Sequence, residues 1–334
     1  MKAVKTPIKN LNNLRIELLE KELMDISYKI KTDDYYGYIP IKDEKNIYND
    51  LEIVDIDLKK VKLFPKNFTE LLDDKLNEND LEKLKTSFDI IGDIVILEIP
   101  KNLENKKIAI GEAALEFTKR KSVYMKKSPI EGKTRVRKIE FLAGINNPIT
   151  IHKEHKNRLK LDVSKVYFSP RLATERLKIA EDVKDNEEIL DMFCGIGPFP
   201  IIIASKKKVK VTAVDINKIA IGYLKENIEL NKLKGEITPI NQDINNLNIN
   251  KKFNRIIMNL PGTSYEFLDL AIDLIENNGI INYYEFSSDY TQGINRIDKA
   301  ASKKNKKVEI LSTRKVKSNS PRVWHIAIDA RVLD

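Results

Sequence analysis

The sequence predicts an α/β fold, in which a doubly wound and mostly parallel seven-stranded sheet follows two smaller α+β domains. After about residue 161, apolar strand-like runs alternate with helix-like segments, as in a parallel sheet covered by helices on both faces. The first of these strands leads through a glycine-containing turn into a helix. The last two strands are joined only by residues 318–322, which indicates a hairpin that closes one edge.

The first domain is predicted over residues 1–64. An amphipathic helix fits residues 14–23, and short apolar strands fit 38–41 and 51–56. Residues 59–66, which contain Pro65, have the composition of a linker. These elements are sufficient for a small α+β unit.

The second domain is predicted over residues 65–160. Two helices are expected in it, at 68–84 and 111–117. Three strands are expected, at 94–99, 149–152 and 158–162. A strongly basic segment lies between the second helix and the last two strands.

The third domain is predicted over residues 161–334 and carries the seven-stranded sheet. Residues 256–258 are apolar throughout, which fits a strand that is buried on both faces. The expected strands lie at 188–193, 210–214, 236–239, 254–259, 279–285, 307–313 and 323–329. The expected helices lie at 198–206, 217–231, 264–276 and 288–304.

Composition limits the classes of protein that fit. The 334 residues include one cysteine and three histidines, so an internal disulfide is impossible and no metal site is expected. No run approaches the roughly 18 apolar residues of a membrane span. The first residues, MKAVK, do not lead into an apolar signal segment. A cytoplasmic protein without membrane contact is therefore predicted.

Positive charge is concentrated in residues 119–138. This segment holds nine basic residues and one acidic residue, Glu131, in a chain with a net charge of +9. Such a stripe is typical of a surface that binds RNA or DNA, although a lysine-rich solvated surface gives the same count. The basic residues are Lys119, Arg120, Lys121, Lys126, Lys127, Lys133, Arg135, Arg137 and Lys138.

The glycine-containing turn indicates a bound cofactor. Asp191 ends the first strand of the third domain, and Gly195 and Gly197 let the backbone approach a ligand before the next helix begins. A nicotinamide cofactor favours a third glycine where Pro200 stands, and its pyrophosphate would be repelled by Asp191. The Asp191 carboxylate suits instead the ammonium group of S-adenosylmethionine.

Polar residues also follow the next three strands. Asp215 ends the second strand and is placed to accept hydrogen bonds from both ribose hydroxyls of a nucleoside. Asp243 follows the third strand, where it can accept from an adenine amine, and Asn259 ends the fourth. Because ligands of such sheets bind at the carboxyl ends of the strands, these side chains predict an S-adenosylmethionine site.

Four segments of the sequence resemble a known family: RVR at 135–137, VYFSPRLATER at 166–176, DMFCGIGPF at 191–199 and NLP at 259–261. The family is that of the archaeal and eukaryotic tRNA (guanine-N1)-methyltransferases, which modify the purine at position 37, 3′ of the anticodon. It is related to transferases of wyosine synthesis. The resemblance implies a Rossmann-like class I methyltransferase domain and a small first domain that touches the outer corner of tRNA.

The resemblance also implies roles for individual residues. Arg135 would contact guanine O6, Glu175 would be the general base near N1, and Asn259 and Pro261 would hold the target base. Contacts with the cofactor would come from Tyr167, Arg176, Asp191, Phe193, Gly195, Gly197, Asp215, Ile216, Asp243, Ile244 and Asn259. The expected partner is tRNA, bound by Lys119, Arg120, Lys121, Lys126, Lys127, Arg135, Arg137 and Lys138. A monomer that needs no protein partner is expected.

These residue types suit the chemistry. Guanine N1 carries a proton at neutral pH, so that proton must leave before N1 can take up a methyl group. A partly buried carboxylate such as Glu175 can accept the proton, and a guanidinium such as Arg135 can stabilise the charge that develops on O6. The base must leave the anticodon stack to reach the cofactor. Because Arg135 and Glu175 are distant in sequence, only the fold can bring them together.

Two alternatives remain open at this point. An aminocarboxypropyl transferase or a bifunctional methyltransferase of wyosine synthesis would use the same cofactor on the same tRNA position. A non-catalytic tRNA-binding protein would bind RNA, with a steep dependence on salt, but no cofactor. The mass of the modified nucleoside distinguishes the first alternative from N1-methylation of guanosine. Binding of S-adenosylhomocysteine tests the second.

Overall fold

The chain forms two compact units, Met1–Lys66 and Asn67–Asp334. They are seen in a computed structural model that describes residues 1–44, 47, 51–61, 65–128, 132 and 135–334. Residues 62–64 of the predicted linker, together with Glu131 and Lys133 of the basic segment, lie outside the described residues. The boundary predicted near residue 160 falls inside the second unit.

The first unit is a small antiparallel sheet with one helix. Its four strands pair in the order β2-β3-β1-β4. Leu18 of the helix packs with Val4 and Ile39 of the sheet in one apolar cluster. The elements are β1 (Lys2–Pro7), α1 (Ile8–Glu20), β2 (Lys31–Thr32), β3 (Tyr36–Pro40) and β4 (Glu52–Asp55). The predicted helix and both predicted strands are present, but β1 was not predicted, because Lys2 and Lys5 leave only a two-residue apolar run between them.

The second unit begins with a four-stranded sheet in which β6 and β7 are parallel. The single helix predicted at 68–84 is wrong. A short 3-10 turn, Phe68–Leu71, comes first, and the side chain of Asn77 then accepts a hydrogen bond from the Asp80 amide and starts a separate helix. The elements are α2 (Glu78–Lys83), β5 (Asp89–Ile91), β6 (Ile94–Leu97), α3 (Lys107–Thr118), β7 (Ser122–Lys126) and β8 (Ile139–Gly144).

The strands predicted at 149–152 and 158–162 are present as β9 (Ile149–Glu154) and β10 (Asn157–Asp162), and they pair as an antiparallel hairpin after this sheet. The two strands are joined by His155 and Lys156, which both adopt positive φ angles. The helix α4 (Ala173–Asp182), which carries Glu175, comes next and was not among the predicted elements. Its polar sequence, ATERLKIAED, explains why a search for apolar periodicity overlooks it.

The predicted seven-stranded sheet is confirmed. Its order is β13-β12-β11-β14-β15-β17-β16, and β17 runs antiparallel to both of its neighbours. The strands are β11 (Glu188–Asp191), β12 (Lys210–Asp215), β13 (Glu236–Asn241), β14 (Phe253–Met258), β15 (Ile275–Ser287), β16 (Lys307–Ser320) and β17 (Val323–Leu333). The remaining helices are α5 (Pro198–Lys206), α6 (Lys218–Glu229), α7 (Leu268–Leu274) and α8 (Thr291–Ser302).

Neighbouring residues of the central strands are buried on opposite faces of this sheet. Leu190 and Ile256 belong to the apolar cluster on one face, whereas Ile189 and Ile257 belong to the cluster on the other. Strands with both faces covered must be apolar at every position, which is why they were recognisable in the sequence. No helix in the described part of the chain is long and apolar enough to span a membrane.

The four-stranded sheet and the seven-stranded sheet share a core. Tyr124 of β7 and Ile94 of β6 belong to the same buried cluster as Leu161 of β10, Ile196 and Leu224 of α6. This packing joins the basic segment to the glycine-containing turn within one unit.

Candidate active site

The turn after β11 is built around two glycines with positive φ, +55° at Gly195 and +82° at Gly197. A Cβ atom on Gly197 would lie 2.2 Å from Cδ1 of Leu224, so the absence of a side chain lets α6 pack against the turn. A Cβ atom on Gly195 would meet nothing closer than the Tyr167 carbonyl oxygen, at 3.9 Å. Gly195 therefore borders open space beside Tyr167, as a ligand-binding turn requires.

Asp191 is a buried carboxylate with an unused acceptor. The residue is only 1% exposed, and Oδ1 accepts a hydrogen bond from the Phe193 amide at 3.2 Å. Oδ2 is buried and has no partner among the described residues. Burial, supported by the nearby Asp215 charge and opposed by the Phe193 hydrogen bond, raises the pKa of Asp191 to about 8. An orphaned carboxylate oxygen of this kind fits a ligand with a cationic donor.

Asp215 lies at the end of the neighbouring strand and anchors the same turn. Oδ2 accepts from the Gly195 amide at 2.7 Å, and Oδ1 accepts from the Asn217 amide at 2.8 Å. Burial raises the pKa of Asp215, whereas these two backbone hydrogen bonds lower it. Each oxygen keeps a lone pair for a further donor. Ile216 beside it is 39% exposed, which leaves an apolar surface against which a planar base can stack.

The other predicted cofactor residues surround this edge of the sheet. Asp243 caps a short turn by accepting from the Asn245 amide at 3.0 Å, and Ile244 behind it is buried. The ring of Phe193 packs edge-on against Phe267, with 5.0 Å between the ring centroids. Asn259 is half-buried directly after β14, and its side-chain carboxamide has no hydrogen-bond partner among the described residues. The predicted role of each toward a cofactor stays a prediction.

Replacing Asp191 with asparagine tests whether this carboxylate binds a cationic group of the ligand. In the ligand-free protein the folded-state pKa, about 8, lies above the ordinary value of 3.8, so the wild type loses stability as pH rises between these two values. Asparagine stays neutral, so Asp191→Asn should melt at a higher temperature than wild type at pH 9 and at a similar temperature at pH 4. Calorimetry should show S-adenosylhomocysteine binding roughly tenfold more weakly, since a charge-assisted hydrogen bond is lost. Unchanged melting at pH 9 would contradict this account.

Glu175 is held by two elements that lie far away in the sequence. The residue is 6% exposed, and Oε1 accepts a hydrogen bond from the Tyr284 hydroxyl of β15 at 2.7 Å. Arg314 of β16 donates from Nε to Oε2 at 2.9 Å, and from Nη2 to Oε1. Burial, together with the Glu175 charge, raises the pKa of Tyr284 well above its usual value, so its hydroxyl stays a neutral donor.

Arg176, the neighbour of Glu175, occupies a buried ion pair. It is 1% exposed, and it donates from Nε to Glu154 Oε1 at 2.7 Å and from Nη2 to Glu154 Oε2 at 2.5 Å. Nη2 also donates to the Ser169 carbonyl at 3.0 Å. These contacts tie α4 to β9 and to the segment that carries Tyr167. A direct contact of Arg176 with a cofactor stays a prediction.

Arg135 has an available guanidinium. Burial lowers its pKa. In the described part of the chain, its one cation–π contact is with the ring of Tyr167, whose centroid lies 5.6 Å from the guanidinium carbon. No side-chain hydrogen bond or ion pair joins it to a described residue. Nη1 lies 3.6 Å from where a Cβ atom on Gly262 would stand, beside the Asn259–Leu260–Pro261 turn. This turn is fixed by the Pro261 carbonyl, which accepts from the Phe286 amide at 3.1 Å.

Arg135 and Glu175 lie in the same unit without direct contact. The described hydrogen-bond and ion-pair partners of Glu175 are Tyr284 and Arg314, so Arg135 does not contact it directly. The ring of Tyr284 packs against His325, with centroids 5.5 Å apart. Burial, reinforced by the charges of Lys317 and Arg135, lowers the pKa of His325 to about 3. The side chains of Arg135, Glu175, Tyr284 and His325 therefore belong to one region of the second unit.

The basic segment is partly neutralised by neighbouring elements. Lys126 lies 3.6 Å from carboxylates of both Asp89 and Glu98, and Lys127 pairs with Glu104 and Glu140. A local charge count could not reveal these partners. Exposed basic side chains without an ion pair among the described residues are Lys119, Arg120 and Lys138, whereas Lys121 pairs with Asp93. Arg137 is half-buried.

The sequence did not identify several cations and polar groups of this region. Burial, opposed by Asp89 and reinforced by Arg171, Arg135 and Arg137, lowers the pKa of Lys317 on β16. Its Nζ donates to the Ser169 hydroxyl at 3.4 Å. Both ring nitrogens of His325 are buried without partners among the described residues. Charged residues on strands of the closing hairpin were the available signal, but the sequence analysis assigned them no role.

Comparison with known proteins gives consistent matches along the chain. Residues 150–311 match the TRM5/TYW2 methyltransferase domain, residues 68–147 the TYW2 N-terminal domain and residues 3–49 the tRNA methyltransferase 5 N-terminal domain. The chain is 43% identical over 334 residues to the tRNA (guanine(37)-N(1))-methyltransferase Trm5b of Pyrococcus abyssi. The alignment covers 99% of this chain and 98% of that protein.

Two further proteins bear on the chemistry. A solved complex of aTrm5 with tRNALeu is 39% identical, covers 100% of both chains and superposes with a TM-score of 0.85. The tRNA(Phe) (4-demethylwyosine(37)-C(7)) aminocarboxypropyltransferase of Pyrococcus horikoshii is 31% identical over 266 residues, which is 79% of this chain and 95% of that protein. The chain thus resembles proteins that perform two different reactions at one tRNA position.

Proposed function

The chain belongs to the TRM5/TYW2 family of tRNA-modifying transferases, and we propose that it transfers a methyl group from S-adenosylmethionine to N1 of guanosine 37 in tRNA. The observation that carries this proposal is the half-buried guanidinium of Arg135 beside the Asn259–Pro261 turn, which has no hydrogen-bond or ion-pair partner among the described residues. A guanidinium with that freedom suits an oxygen that becomes negative during the reaction.

The cofactor site fits the carboxylates at the ends of the strands. Asp191 and Asp215 would hold the amino-acid and ribose parts of S-adenosylmethionine, and Asp243 would hold the adenine. The unpartnered Oδ2 of Asp191 supports this assignment, because it offers a buried acceptor for a cationic donor. When bound, S-adenosylmethionine supplies an electrophilic methyl carbon on a sulfonium.

The Glu175 carboxylate is arranged to accept a proton. Tyr284 and the Arg314 Nη2 group donate to Oε1, whereas Arg314 Nε is the one donor to Oε2 among the residues that the structure describes. A carboxylate oxygen has two lone pairs, so Oε2 keeps one for the N1 proton. That proton would pass to Oε2 before methyl transfer, which leaves N1 with the electron pair that takes up the methyl carbon, and the cofactor would leave as S-adenosylhomocysteine. Arg135 would stabilise the negative charge that grows on O6, and the proton later leaves Glu175 for solvent.

Substrate binding is assigned to the basic residues of the second unit. Lys119, Arg120 and Lys138 are exposed and available for phosphate contacts, which are the dominant electrostatic contribution to RNA affinity. Arg137, two residues after Arg135, would contribute as well, whereas Lys126 and Lys127 would first have to leave their carboxylate partners. The extruded guanine would lie between Arg135 and the Asn259–Pro261 turn. A monomeric state and a cytoplasmic location stay predictions.

Incubation with unmodified tRNA tests the activity. A tRNA with guanosine 37 and labelled S-adenosylmethionine should yield N1-methylguanosine, identified by nucleoside mass, and a tRNA with adenosine 37 should not. The similarity to an aminocarboxypropyltransferase favours one competing product, a nucleoside heavier by the aminocarboxypropyl group. Binding of S-adenosylhomocysteine without any modified nucleoside would reject the proposed activity, and lack of binding would favour an RNA-binding protein.

A further inference from the structure

Arg314 is the principal partner of Glu175, although 139 residues separate them. Its guanidinium contacts both carboxylate oxygens, through Nε and Nη2. This two-point contact fixes the plane of the carboxylate as well as its position. No other guanidinium in the described chain contacts Glu175.

A second set of contacts fixes Arg314 itself. Nη1 donates to Asp329 Oδ2 at 2.5 Å and to the Ser312 hydroxyl at 3.0 Å. Asp329, on the adjacent strand β17, also accepts from the Asn282 amide of β15 at 2.7 Å and from the Ser312 hydroxyl at 2.7 Å. Despite the opposing effect of burial, the hydrogen bonds to Glu175 and Asp329 raise the pKa of Arg314, so it stays a cation.

The charged surroundings of Glu175 come almost entirely from the hairpin. The titratable groups that face it are Tyr284 of β15 and Arg314 of β16, with Asp329 of β17 behind the guanidinium. From α5, Phe199 packs against Tyr284, with ring centroids 6.1 Å apart. On α4 itself, Arg176 pairs with Glu154, and Lys178 pairs with Asp182.

We propose that Arg314 is a positioning residue for the proposed base: it holds the plane of the Glu175 carboxylate and turns the free lone pair of Oε2 toward the target nucleotide. This inference rests on the proposed function. The contacts of Nε and Nη2 with the two carboxylate oxygens set this orientation before substrate arrives. The guanidinium also stops the carboxylate from rotating, which keeps Oε2 in one orientation. The closing hairpin thereby completes the active site.

The test uses Arg314→Gln in the full-length protein, with single-turnover methylation of guanosine-37 tRNA measured over a range of tRNA concentrations. We expect a roughly tenfold loss of the saturated rate, with the tRNA concentration for half-saturation unchanged, because the lost hydrogen bonds orient the carboxylate and do not hold the RNA backbone. Arg314→Lys keeps the charge but not the two-point contact, so it should also lower the saturated rate. Arg331→Gln, which removes an exposed ion pair with Glu309 on the same hairpin, should change neither quantity.

A second readout does not depend on turnover. Crystal structures of wild type and Arg314→Gln should show the Glu175 carboxylate in one orientation in wild type and rotated, or in more than one conformer, in the variant. If wild type makes no N1-methylguanosine but the carboxylate changes orientation in Arg314→Gln, the proposed function fails and the positioning role stands. An unchanged orientation, or a rate loss that high tRNA concentration restores, would overturn the positioning role. If Arg314→Gln does not fold, Arg314→Lys gives the decisive result: an unchanged rate would overturn it.

Discussion

Replacing Glu175 with glutamine is expected to slow methylation of guanosine 37 by about 10²–10⁴-fold, the range typical of a lost general base. Glutamine has the shape of glutamate, and its amide oxygen can still accept a hydrogen bond from Tyr284. It cannot take a proton from N1, so the nucleophile stays protonated. Single-turnover rates at saturating tRNA and cofactor measure the effect directly, because product release does not enter them.

Two measurements separate this loss from a folding defect. Calorimetry should give wild-type affinity for S-adenosylhomocysteine, because Glu175 does not contact the carboxylates of the glycine turn among the described residues. Tyr284→Phe removes one hydrogen bond but leaves the carboxylate, and it should slow the reaction by only about tenfold, the worth of one ordinary hydrogen bond. If Glu175→Gln methylated guanosine at more than a tenth of the wild-type rate, the proton would have to leave N1 by another route.

The proposed cofactor-binding residues at the carboxyl ends of β11 and β12 could be predicted because the sequence pattern that indicates them is local. Asp191, Gly195 and Gly197 follow one strand within seven residues, and a single turn dictates their geometry. Parallel strands bring their carboxyl ends to one edge, so Asp215 joins them as a consequence of topology. The surroundings of Glu175 are different. Its partners come from β15 and β16, and no local pattern states which strand face meets α4.

Charge was the least predictable property. The basic segment is a fair guide to where cations occur, but Lys126 and Lys127 find carboxylates on neighbouring elements that the sequence does not place. Conversely, Lys317 and Arg171 add positive charge beside Arg135 from distant parts of the chain. The electrostatics of the site therefore follow from tertiary packing. The seven strands of the large sheet, whose apolar runs are intrinsic to the sequence, were all predicted, whereas β5, β7 and β8 of the four-stranded sheet were not.

Replacing Arg135 with methionine is expected to lower the saturated rate of methylation by about 10²–10³-fold, as removal of one oxyanion donor does in other enzymes. The guanidinium has no competing partner among the described residues, so it is available to the O6 oxygen. Arg135→Lys keeps a charge but loses the planar fork, so its rate should fall between those of methionine and arginine. The effect should appear in the rate at saturating tRNA, because O6 gains charge as N1 loses its proton.

A phosphate contact would behave differently, and Arg120 provides the comparison. It is exposed at the end of α3 and has no ion-pair partner among the described residues, so Arg120→Met should weaken tRNA binding and reduce the salt slope by about one without changing the saturated rate. If Arg135→Met behaved like Arg120→Met, with the rate recovered at high tRNA concentration, Arg135 would only attract the RNA backbone. The rate at saturation therefore decides whether this guanidinium acts on the reacting base, because affinity alone cannot distinguish the two roles.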